Sequence, residues 1–143
     1  MNWIHWSLLS AFFAGVTAVL AKVGVTGVNS NLATAIRTAV ILVFAWAIAF
    51  IFAKPAEMVN FTSRTWWFLT LSGIATGLSW LCYFRALQLG DASRVAPVDK
   101  LGVVFVIVLS AWFLKEKITL QHLTGGLLIV AGAVVMAWKS KPA

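Results

Sequence analysis

Five long apolar runs alternate with short polar breaks along the chain. The runs cover residues 3–25, 32–53, 66–87, 92–114 and 120–138. Each is about 20 residues long, enough for a helix to cross roughly 30 Å of hydrocarbon. The breaks carry turn and stop signals. Gly24, Gly27, Asn29, Ser30 and Asn31 separate the first pair of runs, and Lys54-Pro55 ends the second. A polar stretch from Glu57 to Arg64 precedes the third. Gly90-Asp91 and Lys115-Glu116-Lys117 mark the last two turns, and Lys139-Ser-Lys-Pro-Ala is a polar tail.

The runs do not alternate apolar and polar residues, as strands of a membrane barrel would. The pattern therefore predicts an all-α integral membrane protein with five transmembrane helices in a single domain over residues 1–143. The first run has no basic leader and exceeds a secretory h-region, so it is expected to remain as a helix.

Composition sharpens this picture. The chain has 143 residues, 62% of them apolar and only 10% charged. A soluble domain is about a quarter charged and too small at this length to hide so much apolar surface. The expected solvent is lipid. The net charge of +7 would suggest nucleic acid in a soluble protein, but the basic residues form no stripe or tail. They read instead as loop charges that set topology and touch anionic headgroups. Nucleic acid is not an expected partner. Cys82 is the single cysteine, and His5 and His122 stand far apart, so no metal or disulfide framework is predicted. No nucleophile–base pair and no phosphate-cradling glycine loop is present either, so neither enzyme activity nor a cofactor is expected.

Trp3, Trp6, Trp66, Trp67, Trp112 and Trp138 fall near run ends, where amphipathic rings favour the headgroup level. Trp46 and Trp80 sit deeper and, with Tyr83, are candidates to line a substrate path or to pack helices. Gly73-Ile-Ala-Thr-Gly77 is a small-xxx-small motif, and Ala11/Gly15 and Ala14/Ala18 repeat its spacing. Such residues let backbones approach closely, within a protomer or between protomers.

The charges inside the runs are the main clue to function. Five crossings put the two termini on opposite sides. Lys22, Arg37, Arg85, Arg94, Asp99 and Lys100 then all belong to the half of the bilayer opposite the amino terminus. At 1.5 Å per residue, Lys100 lies roughly 12 Å below that face. A charge at the bilayer centre costs at least about 2.5–3.5 kcal/mol, and such residues mostly face a bundle interior or a wet cavity. The expectation is a polar vestibule walled by the first four helices. Asp99 and Lys100 are neighbours in sequence and point about 100° apart on a helix, so Asp99 is expected to pair with Lys22 or Arg37 from another helix. The basic surplus suits an anionic group such as a carboxylate or phosphate. For Lys22, Arg85 and Arg94 the plainer reading is snorkelling to the headgroups. Asp91 or Ser93 is expected to cap the fourth helix, and Pro97 is tolerated in its early turns.

Lys and Arg are nearly balanced between the two sides once the deep residues are discounted. That balance suits a chain inserting in both orientations. No internal repeat is visible, so an oppositely oriented copy would supply the inverted repeat that many transporters use.

Tyr83-Phe-Arg-Ala-Leu-Gln-Leu-Gly-Asp-Ala-Ser-Arg-Val-Ala-Pro-Val-Asp-Lys100 resembles the junction of helices three and four in EamA-type domains of the drug/metabolite transporter superfamily. Leu114-Lys-Glu-Lys117 resembles the family's Leu-Gly-Glu-Arg element, with Lys115 in place of the usual glycine. Leu127-Leu-Ile-Val-Ala-Gly132 resembles its closing helix. The likeness covers essentially the whole chain and fits the short, five-helix bacterial and archaeal members. It implies an inner-membrane, multi-pass secondary transporter, often an exporter of amino acids, metabolites or drugs. Larger relatives carry ten helices in two inverted halves. This chain corresponds to one half, which implies assembly as an antiparallel homodimer. The extra basic residues of its third and fourth helices leave an anionic or lipid-linked substrate open. A flippase-like handler of a lipid-linked anion and a non-transporting membrane scaffold are the alternatives.

Overall fold

The computed structural model describes residues 2–53 and 55–138. Among them all regular structure is helical: α1 (Trp3–Val25), α2 (Ser30–Phe52), a short 3-10 segment (Pro55–Asn60), α3 (Ser63–Leu89), α4 (Ala92–Asp99), α5 (Gly102–Phe113) and α6 (Leu120–Ala137). α4 and α5 together form one span, Ala92–Phe113, so five helical spans are long and apolar enough to cross a membrane. By length and composition these spans fit the multi-pass membrane protein that the sequence predicts. Lys54, at the predicted stop of the second run, and the polar tail from Lys139 lie outside the described residues.

Local chemistry explains the helix ends. α2 starts two residues before the apolar run because Asn29 caps it, its side chain accepting from the amides of Asn31 at 2.9 Å and Leu32 at 3.4 Å. Thr62 Oγ1 accepts from the Thr65 amide at 3.2 Å at the start of α3. Thr119 and His122 form a reciprocal capping box at the start of α6. Several hydroxyls inside the spans bond to carbonyls of their own helix. Thr34 donates to the Ser30 carbonyl at 2.9 Å, Thr38 to Thr34 at 2.8 Å and Thr76 to Ser72 at 2.9 Å.

The fourth span is not continuous. Lys100 and Leu101 keep right-handed backbone angles (φ −67°, ψ −10° and φ −59°, ψ −17°). Their bonding tightens to the 3-10 pattern: the amides of Leu101, Val103 and Val104 donate to the carbonyls of Val98, Lys100 and Leu101 at 2.9–3.0 Å. Pro97 has no amide to give the Ser93 carbonyl, and Gly102 follows, the weakest helix former after proline. A 3-10 stretch inside a helix often marks a hinge.

At the end of this span the chain must reverse. Lys115 does so with φ +56°, the one non-glycine residue in the left-handed region among those described. The Ser110 carbonyl then accepts from both Leu114, at 2.9 Å, and Glu116, at 3.3 Å. The family's glycine at this position thus has a conformational reason.

The chain divides into two compact units, one formed by Met1–Lys22 with Leu89–Ala143 and the other by Val23–Gln88. In the first, α4 and α5 pack on α6, and Gly126 admits Ile107 closely, a Cβ there meeting its Cδ1 at 3.5 Å. Gly15, Gly73, Gly77 and Gly132 have open space where a Cβ would stand, so no close backbone approach explains them within their own unit. In the second unit, the Gln88 side-chain amide donates to the Val28 carbonyl. This bond ties the carboxyl end of α3 to the entry of α2.

Candidate functional site

The second unit holds Arg37, Arg85, Trp46, Trp80 and Tyr83. Arg37 is the eighth residue of α2 and half-buried. Its guanidinium carbon lies over the Trp80 ring, 4.5 Å from the centroid, and 5.4 Å from the Phe84 centroid. Trp80 and Phe84 are four apart on α3 and so share one face. Trp80 is eight residues, about 12 Å, along α3 from Gln88, and Arg37 is seven residues, about 10 Å, along α2 from its first residue, next to the Gln88–Val28 bond. The guanidinium sits nearer the deeper ring. Arg37 therefore reaches across to α3 rather than snorkelling toward that end. Among the described residues it takes part in neither of the two ion pairs.

Arg85 plays a different part. It donates to the Gln88 side chain at 3.0 Å along its own helix, and so supports the Gln88–Val28 joint. Trp46 lies against Phe50, four residues on, with centroids 5.6 Å apart, and is 40% exposed. Tyr83 is half-buried, its ring set edgewise to its neighbour Phe84 at 6.4 Å. Phe84 and Gln88 were not anticipated from sequence. The four-residue spacing of Trp80, Phe84 and Gln88 was the available signal.

The first unit holds Lys22, Arg94, Asp99 and Lys100. Asp99 pairs with its own neighbour: Lys100 Nζ donates to Asp99 Oδ2 at 3.3 Å. This corrects the expectation that adjacent residues point too far apart to meet. Backbone directions differ by about 100°, but a four-carbon lysine stem can fold back over that angle. Both side chains are exposed on the protomer, Asp99 at 39% and Lys100 at 59%. Lys22 Nζ donates to the Gly90 carbonyl at 2.8 Å, which fastens the late turns of α1 to the turn before α4.

Asp91 stands at the N-cap position of α4, yet its side chain makes no capping bond. It turns instead to Arg94, with 4.0 Å between Oδ2 and Nε. This overturns the expected aspartate cap. A pair this long and this exposed adds little stability. A separate cavity of about 190 Å³ lies at the α5–α6 turn of this unit, lined by Ser110, Glu116, Lys117 and His122 among apolar side chains. It contains none of the residues predicted for the site. Among the described residues no group of His, Cys, Asp and Glu is arranged to hold a metal ion.

The sequence profile of the EamA-like transporter family matches residues 1–138. An uncharacterized transporter in the cobO 3′ region of Sinorhizobium sp is 53% identical over 139 residues, covering 95% of this chain and 96% of that protein. The uncharacterized transporter YvbV of Bacillus subtilis is 40% identical over 73 residues, which are 51% of this chain and 24% of YvbV. The ArnE protein of an Enterobacter species is named a probable 4-amino-4-deoxy-L-arabinose-phosphoundecaprenol flippase subunit. It is 29% identical over 83 residues, 58% of this chain and 78% of ArnE. No solved structure matches the chain.

Proposed function

Because the chain belongs to the EamA-like transporter family, we propose that it is a secondary transporter working as an antiparallel homodimer. Its substrates are small metabolites, amino acids or drug-like compounds, and the direction is export. The Asp99–Lys100 pair carries this reading. It lies about 10–12 Å along the fourth span from the start of α4, at the 3-10 interruption, and is exposed on the protomer. A charged pair left against lipid tails is costly, so such a pair calls for a wet cavity or a covering partner. Interrupted helices at mid-membrane are where many transporters hold substrates and coupling ions. In the first unit Asp99 would carry the coupling proton, with Lys100 beside it to attract an anionic group; in the second unit Arg37 would meet an anionic substrate group. Lys22, Arg85 and Arg94 would contribute positive potential, and Trp46, Trp80 and Tyr83 would line the path. The open faces at Gly73 and Gly77 suit close approach by a second copy.

The test is flux in proteoliposomes with and without an imposed pH gradient, against a panel of amino acids, carboxylates and phosphates. The reading expects at least one compound to move faster than in empty vesicles, and faster still with the gradient. No movement of any compound would sink it. Orientation is tested separately by labelling cysteines introduced in the loops before α3 and before α4. Antiparallel assembly requires both loops to react from both sides of the membrane, and labelling from one side only rejects it.

A second reading is favoured by the likeness to ArnE and by the basic surplus. In it the chain helps to move a lipid-linked anion across the bilayer. Its assay is translocation of a fluorescent polyprenyl phosphate, read by access to a membrane-impermeant quencher. Translocation without flux of any soluble compound would favour this reading over the first.

A further inference from the structure

We propose that Arg37 is the oxyanion receptor of the protein and that Trp80 and Phe84 are the residues that position it. The inference rests on the transporter reading only for its purpose, because the binding site itself stands on the geometry of one unit.

Three observations point the same way. First, Arg37 is far from the end of its span. The Gln88–Val28 bond ties the end of α3 to the chain entering α2; Trp80 lies about 12 Å along α3 from Gln88 and Arg37 about 10 Å along α2 from its first residue. Second, the guanidinium is held by aromatic rings, 4.5 Å from Trp80 and 5.4 Å from Phe84. Ring faces attract the cation but offer no lone pairs to its five N–H donors. Third, neither ion pair among the described residues includes Arg37, and it has no buried donor atom lacking a partner. Any Arg37 donor that lacks a partner is therefore exposed rather than buried, and accessible to an incoming group.

The contrast with Lys100 is informative. Lys100 already spends a donor on Asp99, whereas Arg37 keeps its charge without a carboxylate. A fixed guanidinium fork matches a carboxylate or phosphate with two parallel bonds, and a lysine cannot. Phe84 is buried, at 3% exposure, so the ring beside the guanidinium is itself held by packing. The aromatic pair fixes the fork before the anion arrives, which reduces the ordering cost of binding. The ligand class is an oxyanion: a carboxylate, a phosphate, or the phosphate of a lipid headgroup.

The test uses the full chain in a maltoside detergent free of phosphate, with arginine labelled at Nε and observed by NMR. Arg37→Lys identifies the Arg37 signal by its loss. Benzoate, inorganic phosphate and short-chain phosphatidylglycerol are titrated in turn, with tetraethylammonium as the cationic control. The expected result is a saturable shift of the Arg37 signal with at least one of the anions and none with tetraethylammonium. Which anion acts distinguishes a carboxylate, a free phosphate and a lipid source. Before any anion is added, the Arg37 proton is expected to be displaced by the ring current of Trp80. Trp80→Leu should remove that displacement and weaken anion binding about tenfold, and Trp80→Phe should restore most of both. A visible Arg37 signal that ignores all three anions overturns the proposal, as does an equal response to tetraethylammonium. Anion binding at Arg37 without flux would count against transport alone, and flux without anion binding at Arg37 would count against this inference alone.

Discussion

Replacing Lys115 with glycine should stabilise the protein. Lys115 has φ +56°, where a side chain crowds the following carbonyl at a cost of about 1–2 kcal/mol. Its position is set by the turn after α5, because the Ser110 carbonyl must receive both the Leu114 and Glu116 amides. The side chain is exposed, so removing it sacrifices no packing. Glycine removes the crowding but gains freedom in the unfolded chain, which returns about 0.5–1 kcal/mol. The balance is a gain of about 0.5–1 kcal/mol, or roughly two- to fivefold in the unfolding equilibrium. Reversible unfolding in mixed micelles, titrated with a denaturing detergent, measures it. Lys115→Ala separates charge from conformation: it removes the same charge but keeps the strained backbone, so it should stay near wild type. Equal stabilisation by alanine and glycine would show that charge, not φ, was responsible. A glycine variant less stable than wild type would refute the reasoning outright.

The same unfolding assay checks three further expectations. Leu87→Ala should cost about 2–5 kcal/mol, since Leu87 is fully buried, whereas Leu128→Ala, at a residue 74% exposed, should cost far less. Thr119→Ala should cost about 0.5–2 kcal/mol by removing the cap on the His122 amide, and hydrogen exchange should quicken in the first turn of α6. Gln88→Leu breaks the side-chain bond from the end of α3 to the Val28 carbonyl, ahead of α2. It should cost about 0.5–1.5 kcal/mol and speed exchange at the end of α3.

The spans were legible because lipid imposes a simple rule, about 20 apolar residues in helical form. α1 begins and ends where the first apolar run does, and α2 and α3 begin two and three residues before theirs, at polar capping residues the hydropathy pattern undervalues. The interruption of the fourth span was not read, because Pro97 looked harmless in an early turn and the switch to 3-10 bonding falls at Lys100–Leu101, beyond it. The charged positions were visible, but their partners were not. Helical spacing predicts which backbone directions diverge, yet Lys100 reaches Asp99 through a flexible stem. Asp91 had the identity of a cap, and its side chain went to Arg94 instead. Arg37 looked like an unpaired charge in the sequence because its neighbours are rings rather than carboxylates. Nothing in α2 alone announces the aromatic face of α3.

The central claim is that charged groups inside the spans serve movement of a substrate across the membrane. Substrate-induced current on a supported membrane tests it most directly, using wild type, Asp99→Asn and Arg37→Lys incorporated to equal density. The account predicts a current for wild type with at least one of glutamate, benzoate or glycerol 3-phosphate. It also predicts loss of proton coupling in Asp99→Asn and at least a tenfold weaker apparent affinity in Arg37→Lys. Wild-type currents unchanged by both substitutions would contradict it.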